Sequence, residues 1–185
     1  MFKEFNEIYH FIEKFKEREL INLDSKISLI YRNYKKKPDI SLIKKIKHFC
    51  KKTNRKFYLA NEFKLALYLN LDGVYIPSFN KSFYSNNFSK QKNFRIIGSA
   101  HNIYEIKIKE KQKIEIIFIS PLFKIDKRNN YLGLHRFMSL KKLTEKKLIV
   151  LGGINKLNIK KLKLINSYGF ASISFIKMIN NKNEY

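Results

Sequence analysis

Two glycines stand together, Gly152 and Gly153, in the stretch IVLGGINKLNIKKL of a 185-residue chain that holds only six glycines. A residue without a Cβ lets its backbone N–H come close to an anion. The apolar run 148–151 precedes the pair, and a segment with helical spacing follows it, with Asn155 as its expected cap. Strand, glycines and helix N-terminus in that order can bind phosphate, because the amides and the positive end of the helix point to one place. The plain alternative is a tight strand-to-helix turn with no ligand. Lys177, next to Ile176 at the following strand end, tips the reading toward phosphate. Polar and cationic groups recur at comparable junctions: Arg32, Asn61 with Glu62, Ser78 to Asn80, Ser99 to His101, then Lys124, Lys127 and Arg128.

For these residues to meet, their junctions must lie at one end of one sheet. Short apolar, β-branched runs predict strands over 27–32, 57–60, 73–76, 95–98, 115–119, 148–151 and 171–175. Helical spacing predicts helices over 39–53, 62–71, 102–111, 134–143 and 155–168; the first has Asp39 as its cap and Ile40, Ile43, Ile46 and Phe49 on one face. Strands alternating with helices imply βα units on a parallel sheet. The run 8–12 reads as strand or helix; the strand is favoured, because an eighth strand closes a barrel and leaves no exposed edge. The expected fold is therefore α/β, a single (β/α)8 TIM-type barrel over 1–185, slightly truncated, with little room for a final helix. A doubly wound open sheet is the alternative. In a barrel these junctions form the C-terminal face, where active sites lie and where strands seven and eight commonly hold a phosphate.

Composition narrows the class. Hydrophobic residues make up 44%, which fits a globular chain, and no apolar run approaches the ~20 residues of a membrane span. The N-terminus MFKEFNEIYHF lacks a signal-peptide pattern, and the single Cys50 allows neither a disulfide framework nor a cysteine-based zinc site. A cytoplasmic protein without membrane attachment is expected. Lys and Arg number 39 against 15 Asp and Glu, a net charge of +24. Such charge admits a phosphate-rich partner, nucleic acid or metabolite. Yet the lysines are spread along the whole chain, among abundant Asn, Ile, Phe and Tyr, with no arginine-rich tail and no aromatic-basic recognition motif. Phosphorylated small molecules are the expected ligands, and nucleic acid is not.

The stretches YLANEFKLALYLNLDGVYIP, IIGSAHN, IIFISPLFK followed by YLG, LGGIN and GFASISFI occur in this order, each on a strand–loop junction. Together they resemble the thiamine phosphate synthase and thiazole tautomerase (TenI) superfamily, from about Ile8 to Ile179. The resemblance implies a (β/α)8 barrel. It further implies a transferase that joins hydroxymethylpyrimidine diphosphate to a thiazole phosphate, releasing pyrophosphate with Mg²⁺ on the diphosphate. The family's Gln-x-Arg-x-Lys clamp falls on Ile30, Arg32 and Tyr34, so the arginine is kept and Lys35 stands adjacent. Its Asn-Asp pair falls on Asn61 and Glu62, its second metal aspartate on the neutral Asn80, and the serine of its Ser-Ala-His stretch on Ser99. Its Thr-x-Thr-Lys segment falls on Ile125, Asp126, Lys127 and Arg128, and its closing Ile-Ser on Ile176 and Lys177.

The resemblance thus assigns Arg32, Asn61, Ser99 and Arg128 to the pyrimidine diphosphate. Lys127, Gly152, Gly153, Ile176 and Lys177 go to the thiazole phosphate, and Glu62, with Asn80 as a weaker ligand, to Mg²⁺. The tautomerase histidine after the sixth strand is replaced by Pro121, and His101 is expected to orient its loop. Cys50, on the apolar side of a helix, is expected in the core. Two functions remain open: a divergent synthase, or a non-catalytic binder of thiazole or thiamine phosphate on the same barrel.

Overall fold

The computed structural model describes residues 4–83, 93–125 and 130–180. The apolar runs become eight parallel strands: β1 (Glu7–Ile12), β2 (Ile27–Tyr31), β3 (Phe57–Ala60), β4 (Gly73–Ile76), β5 (Arg95–Ala100), β6 (Ile116–Ile119), β7 (Lys147–Leu151) and β8 (Gly169–Ser172). They join in sequence order, and β8 pairs back onto β1, so the barrel is closed. The ambiguous run at 8–12 is a strand, and it is the one that makes closure possible.

Strands buried on both faces need apolar residues at every position, and IIFI in β6 shows the pattern. Alternate residues face opposite ways. In β1, Tyr9 and Phe11 turn into the barrel, while Ile8 and Ile12 pack in the outer layer. That layer is supplied by α1 (Glu17–Ile21), α2 (Ile40–Lys52), α3 (Phe63–Tyr68), α4 (Ile103–Lys111), α5 (Gly133–Lys142) and α6 (Phe175–Asn180). Asp39 caps α2 by accepting from the Leu42 amide at 3.1 Å, and α2 buries Ile43, Ile46, Phe49 and Cys50. Ile40, expected on that face, stays exposed in the first turn. Asn102 caps α4 in the same way, through the Glu105 amide at 2.9 Å.

Three expectations need correction. The helix predicted over 155–168 is only a 3-10 turn, Ile159–Leu162. Asn155 Oδ1 accepts from the amides of Leu157 and Asn158, and Asn158 Oδ1 accepts from that of Asn155. These local bonds compete with helix formation, and Leu157 and Leu164 are left in solvent. The last strand ends at Ser172, not at 175, and the chain does form a final helix, α6, which contains Ile176 and Lys177. The predicted strand 95–98 runs on to Ala100, so Ser99 lies within β5 instead of beyond it.

The N-terminal end of the barrel is held by charge. Arg95 Nη1 donates to Glu7 Oε1 at 2.8 Å and its Nε to Glu115 Oε2 at 3.3 Å, while the Tyr9 hydroxyl donates to the Glu7 carboxylate. Stability, not chemistry, is the usual role of that face.

Candidate active site at the C-terminal rim

Inside the barrel, three rings form a plug below the rim. Phe11 meets Tyr75 edge-on at 5.1 Å and Phe118 at 6.1 Å, and Tyr75 and Phe118 lie 5.5 Å apart. Edge-to-face packing of this kind is favoured by the ring quadrupoles. Among the described residues these rings fill the interior at this level, and the candidate site lies above them.

Arg32 follows β2 directly, with its amide donating to Ile12 O at 2.9 Å. Its guanidinium carbon lies 5.3 Å from the Phe11 ring centroid, and Nη2 donates to Glu13 Oε1 at 2.7 Å. Glu13 is 63% exposed, so the pair is screened and easily exchanged for a stronger anion. Arg32 therefore offers a cation at the mouth of the barrel, rigidly based on an aromatic floor.

Beside it, the ends of β3 and β4 are tied together. Asn61 has φ +63°, a left-handed conformation that asparagine tolerates, and its amide donates to Tyr75 O at 2.8 Å. Its Oδ1 accepts from Asn80 Nδ2 at 2.7 Å, and Asn80 Oδ1 in turn accepts from the Ser82 amide at 2.9 Å. Glu62 lines the same cavity of about 280 Å³ with Asn61, Lys64, Asn80 and Ser82. Burial raises the Glu62 carboxyl above its ordinary value.

Glu62 is the one carboxylate among the described residues of this cavity, and both amide oxygens already accept a hydrogen bond. Among the described residues, no three His, Cys, Asp or Glu side chains group as metal ligands. This donor set suits Mg²⁺ only where phosphate oxygens of a substrate complete the shell, which is how Mg²⁺ is commonly held.

Ser99 is buried and accepts from the Ser78 amide at 3.0 Å. It also interacts with the Tyr75 phenol, whose pKa is pushed up to about 12 by burial. Its hydroxyl thus joins β5 to the segment after β4. His101 Nδ1 lies 2.9 Å from Glu105 Oε2, and its amide donates to the same oxygen at 2.8 Å. It borders a cavity of about 540 Å³ with Ser120, Pro121, Tyr131 and Arg136. His10 is in the core with Nδ1 3.0 Å from Ser172 O, and Cys50 is buried with its thiol pKa pushed up to about 12 by burial.

The paired glycines have a packing reason as well as a chemical one. Gly152 has φ +92° and Gly153 φ +70°. A Cβ on Gly152 would lie 2.8 Å from Pro121 Cβ, and one on Gly153 would lie 2.5 Å from Phe123 O. The segment after β6 is fastened here, with Leu122 N donating to Leu151 O and Phe123 N to Gly152 O. The Gly152 and Gly153 amides are not among the donors of the described loop hydrogen bonds. No α-helix follows, so the macrodipole expected behind the phosphate is absent, and Asn158 Nδ2 instead binds Gly153 O at 2.7 Å. Ile176 turns its side chain into the core, which leaves only its backbone for a ligand. Lys127, Arg128 and the side chain of Lys177 lie outside the described residues.

The stretch 17–177 matches the family model described as thiamine monophosphate synthase. The chain belongs to that family. It is 30% identical over 165 residues to the thiamine-phosphate synthase of Prochlorococcus marinus, a match covering 85% of this chain and 47% of the relative. It therefore spans about half the length of that protein. It is also 30% identical over 154 residues to a putative thiamine-phosphate synthase 2 of Aquifex aeolicus, covering 80% of each. The fold matches that of thiamine phosphate pyrophosphorylase from Pyrococcus furiosus with a TM-score of 0.78 at 18% identity, over 97% of this chain and 94% of that one. The thiamine phosphate pyrophosphorylase of Bacteroides thetaiotaomicron shares the fold with a TM-score of 0.62 at 19% identity, over 91% and 83% of the two chains.

Within this family barrel, sequence reading missed two residues that shape the rim. Lys109 and Gln112 lie on and just after α4, both buried and both bonded to the segment after β4. Their signal was the spacing of Ile106, Lys109 and Gln112, which places a lysine one turn from a core isoleucine.

Proposed function

We propose that the protein is a divergent thiamine phosphate synthase, joining hydroxymethylpyrimidine diphosphate to a thiazole phosphate at the C-terminal rim and releasing pyrophosphate. The supporting observation is Arg32, seated over Phe11 just after β2, with the Asn61–Asn80 pair and Glu62 at the end of the neighbouring strand β3. In this reaction the bond between the pyrimidine methylene and the diphosphate oxygen breaks, and the thiazole nitrogen forms a new bond to that carbon. The pyrimidine ring supports the developing cation, so the protein contributes mainly position and charge at the leaving group.

In this reading Arg32 and Arg128 neutralise the departing diphosphate, Asn61 orients the pyrimidine, and Ser99 holds the wall between them. Glu62, with Asn80 as the weaker partner, would hold Mg²⁺, which would supply positive charge at the leaving group. The amides of Gly152, Gly153 and Ile176, with Lys127 and Lys177, take the thiazole phosphate. The site is assigned to the cytoplasm. The test is thiamine phosphate formation from the two substrates and Mg²⁺. Product that disappears with a chelator is expected; absence of product at any Mg²⁺ concentration refutes the synthase.

A second reading is favoured by one observation. Asn80, where the family places a metal aspartate, is neutral and bonded to Asn61. A barrel that binds thiazole phosphate without turnover would be the outcome in that case, read by saturable binding in the absence of product.

A further inference from the structure

Lys109 sits on α4, outside the barrel wall, and is completely buried. Its Nζ donates to Pro77 O and Asn80 O, both at 2.8 Å, and to Gln112 Oε1 at 2.9 Å. An ammonium has three N–H groups, and all three are used. Gln112, also buried, donates from Nε2 to Asn80 O at 3.0 Å and to Ser82 O at 2.8 Å. Two side chains thus hold the carbonyls of residues 77, 80 and 82, in a segment with no helix or strand of its own.

Stability alone does not explain a lysine here. A buried charge is costly unless paired, and an apolar residue of similar volume commonly does as well or better. All three acceptors are neutral. Glu105, one turn earlier on α4, acts on Lys109 through its charge, but its carboxylate is bonded to His101. What the ammonium does is grip backbone. The gripped segment faces the rim on its other side, where the Ser78 amide reaches Ser99 Oγ and the Asn80 side chain reaches Asn61 Oδ1.

We infer that Lys109 and Gln112 are positioning residues: from outside the barrel they fix the backbone of residues 77–82 and so set the Asn80–Asn61 pair at the rim. The effect on turnover rests on the synthase reading; the clamp itself does not.

The test compares the wild-type protein with Lys109→Met, which keeps the apolar stem and removes the ammonium. Hydrogen exchange at the amides of Ser78, Asn80 and Ser82 is expected to quicken by about tenfold or more, with the strand amides unchanged. The KM for the pyrimidine diphosphate is expected to rise more than kcat falls. Lys109→Ala should show the same defects, relieved by propylammonium, which replaces the deleted atoms, and not by propanol, which lacks the charge. Unchanged exchange at 78–82 in Lys109→Met overturns the clamp. Faster exchange with unchanged kinetics overturns the positioning role. If the wild-type protein makes no thiamine phosphate, the synthase reading fails by itself. Binding of inorganic pyrophosphate with Mg²⁺, followed by the side-chain amide signals of Asn61 and Asn80, then replaces kinetics: weaker binding in the variant supports the role and equal binding overturns it. Should Lys109→Met not fold, Gln112→Met is read in the same way.

Discussion

Arg95 and Glu7, 88 residues apart in sequence, meet at 2.8 Å across the N-terminal end of the barrel, each side chain 19% exposed. Glu7 lies on β1 and Arg95 on β5, so the pair spans the barrel instead of joining neighbouring strands. Removing one partner leaves the other charge poorly hydrated. Arg95→Met should lower unfolding free energy by about 2 kcal/mol, measured by denaturant titration. Because the pair lies at the end opposite the rim, turnover per folded molecule should be unchanged.

Arg32 should show the reverse pattern. Its ion pair with the exposed Glu13 contributes little, so Arg32→Ala should change stability by less than about 1 kcal/mol. Loss of a cation at the leaving group should lower kcat/KM by roughly a hundredfold or more. Equal activity in the variant removes Arg32 from the site.

Lys109 carries a pH signature. Burial pushes its ammonium down to about 8 from an ordinary value of 10.5. A lysine with a depressed folded pKa binds fewer protons folded than unfolded between those values, so its contribution raises stability as pH climbs through that window. The slope is at most about 1.4 kcal/mol per pH unit. Denaturation profiles from pH 7 to 11 should show this added slope in the wild-type protein and lack it in Lys109→Met. Parallel profiles would mean that Lys109 does not titrate in this range.

Glu62 should make the cation requirement depend on acid. Burial raises its carboxyl above the ordinary value, so protonation begins at a higher pH than for an exposed glutamate. As pH falls through that raised value, the Mg²⁺ concentration for half-maximal activity should rise. In Glu62→Gln the requirement should be high at every pH and flat.

The barrel was legible because its strands are buried on both faces. Runs such as FYLA and IIFI leave no polar position to misplace, and their junctions gave the rim residues in the right order. Arg32 and Asn61 could be placed because each directly follows such a run. Where asparagines supply their own backbone bonds, as at Asn155 and Asn158, helical spacing misleads. Ile176 was misplaced for another reason: Ser172 ends β8 early by accepting from the Phe175 amide, which starts a helix. Lys109 was invisible among many lysines, because its burial depends on carbonyls some thirty residues earlier.

Barrel closure has a consequence for biosynthesis. β1 finds one partner in β2 early, but its other edge pairs with β8, where Glu7 faces Gly169. A ribosome delivers the chain from the N-terminus, so seven strands must wait as an open, unsealed sheet until the last one emerges. During that interval the nascent protein exposes two hydrogen-bonding edges. Chaperone dependence should therefore concentrate in the final stage of synthesis, and a stall before residue 169 should yield a sticky intermediate in place of a smaller folded one.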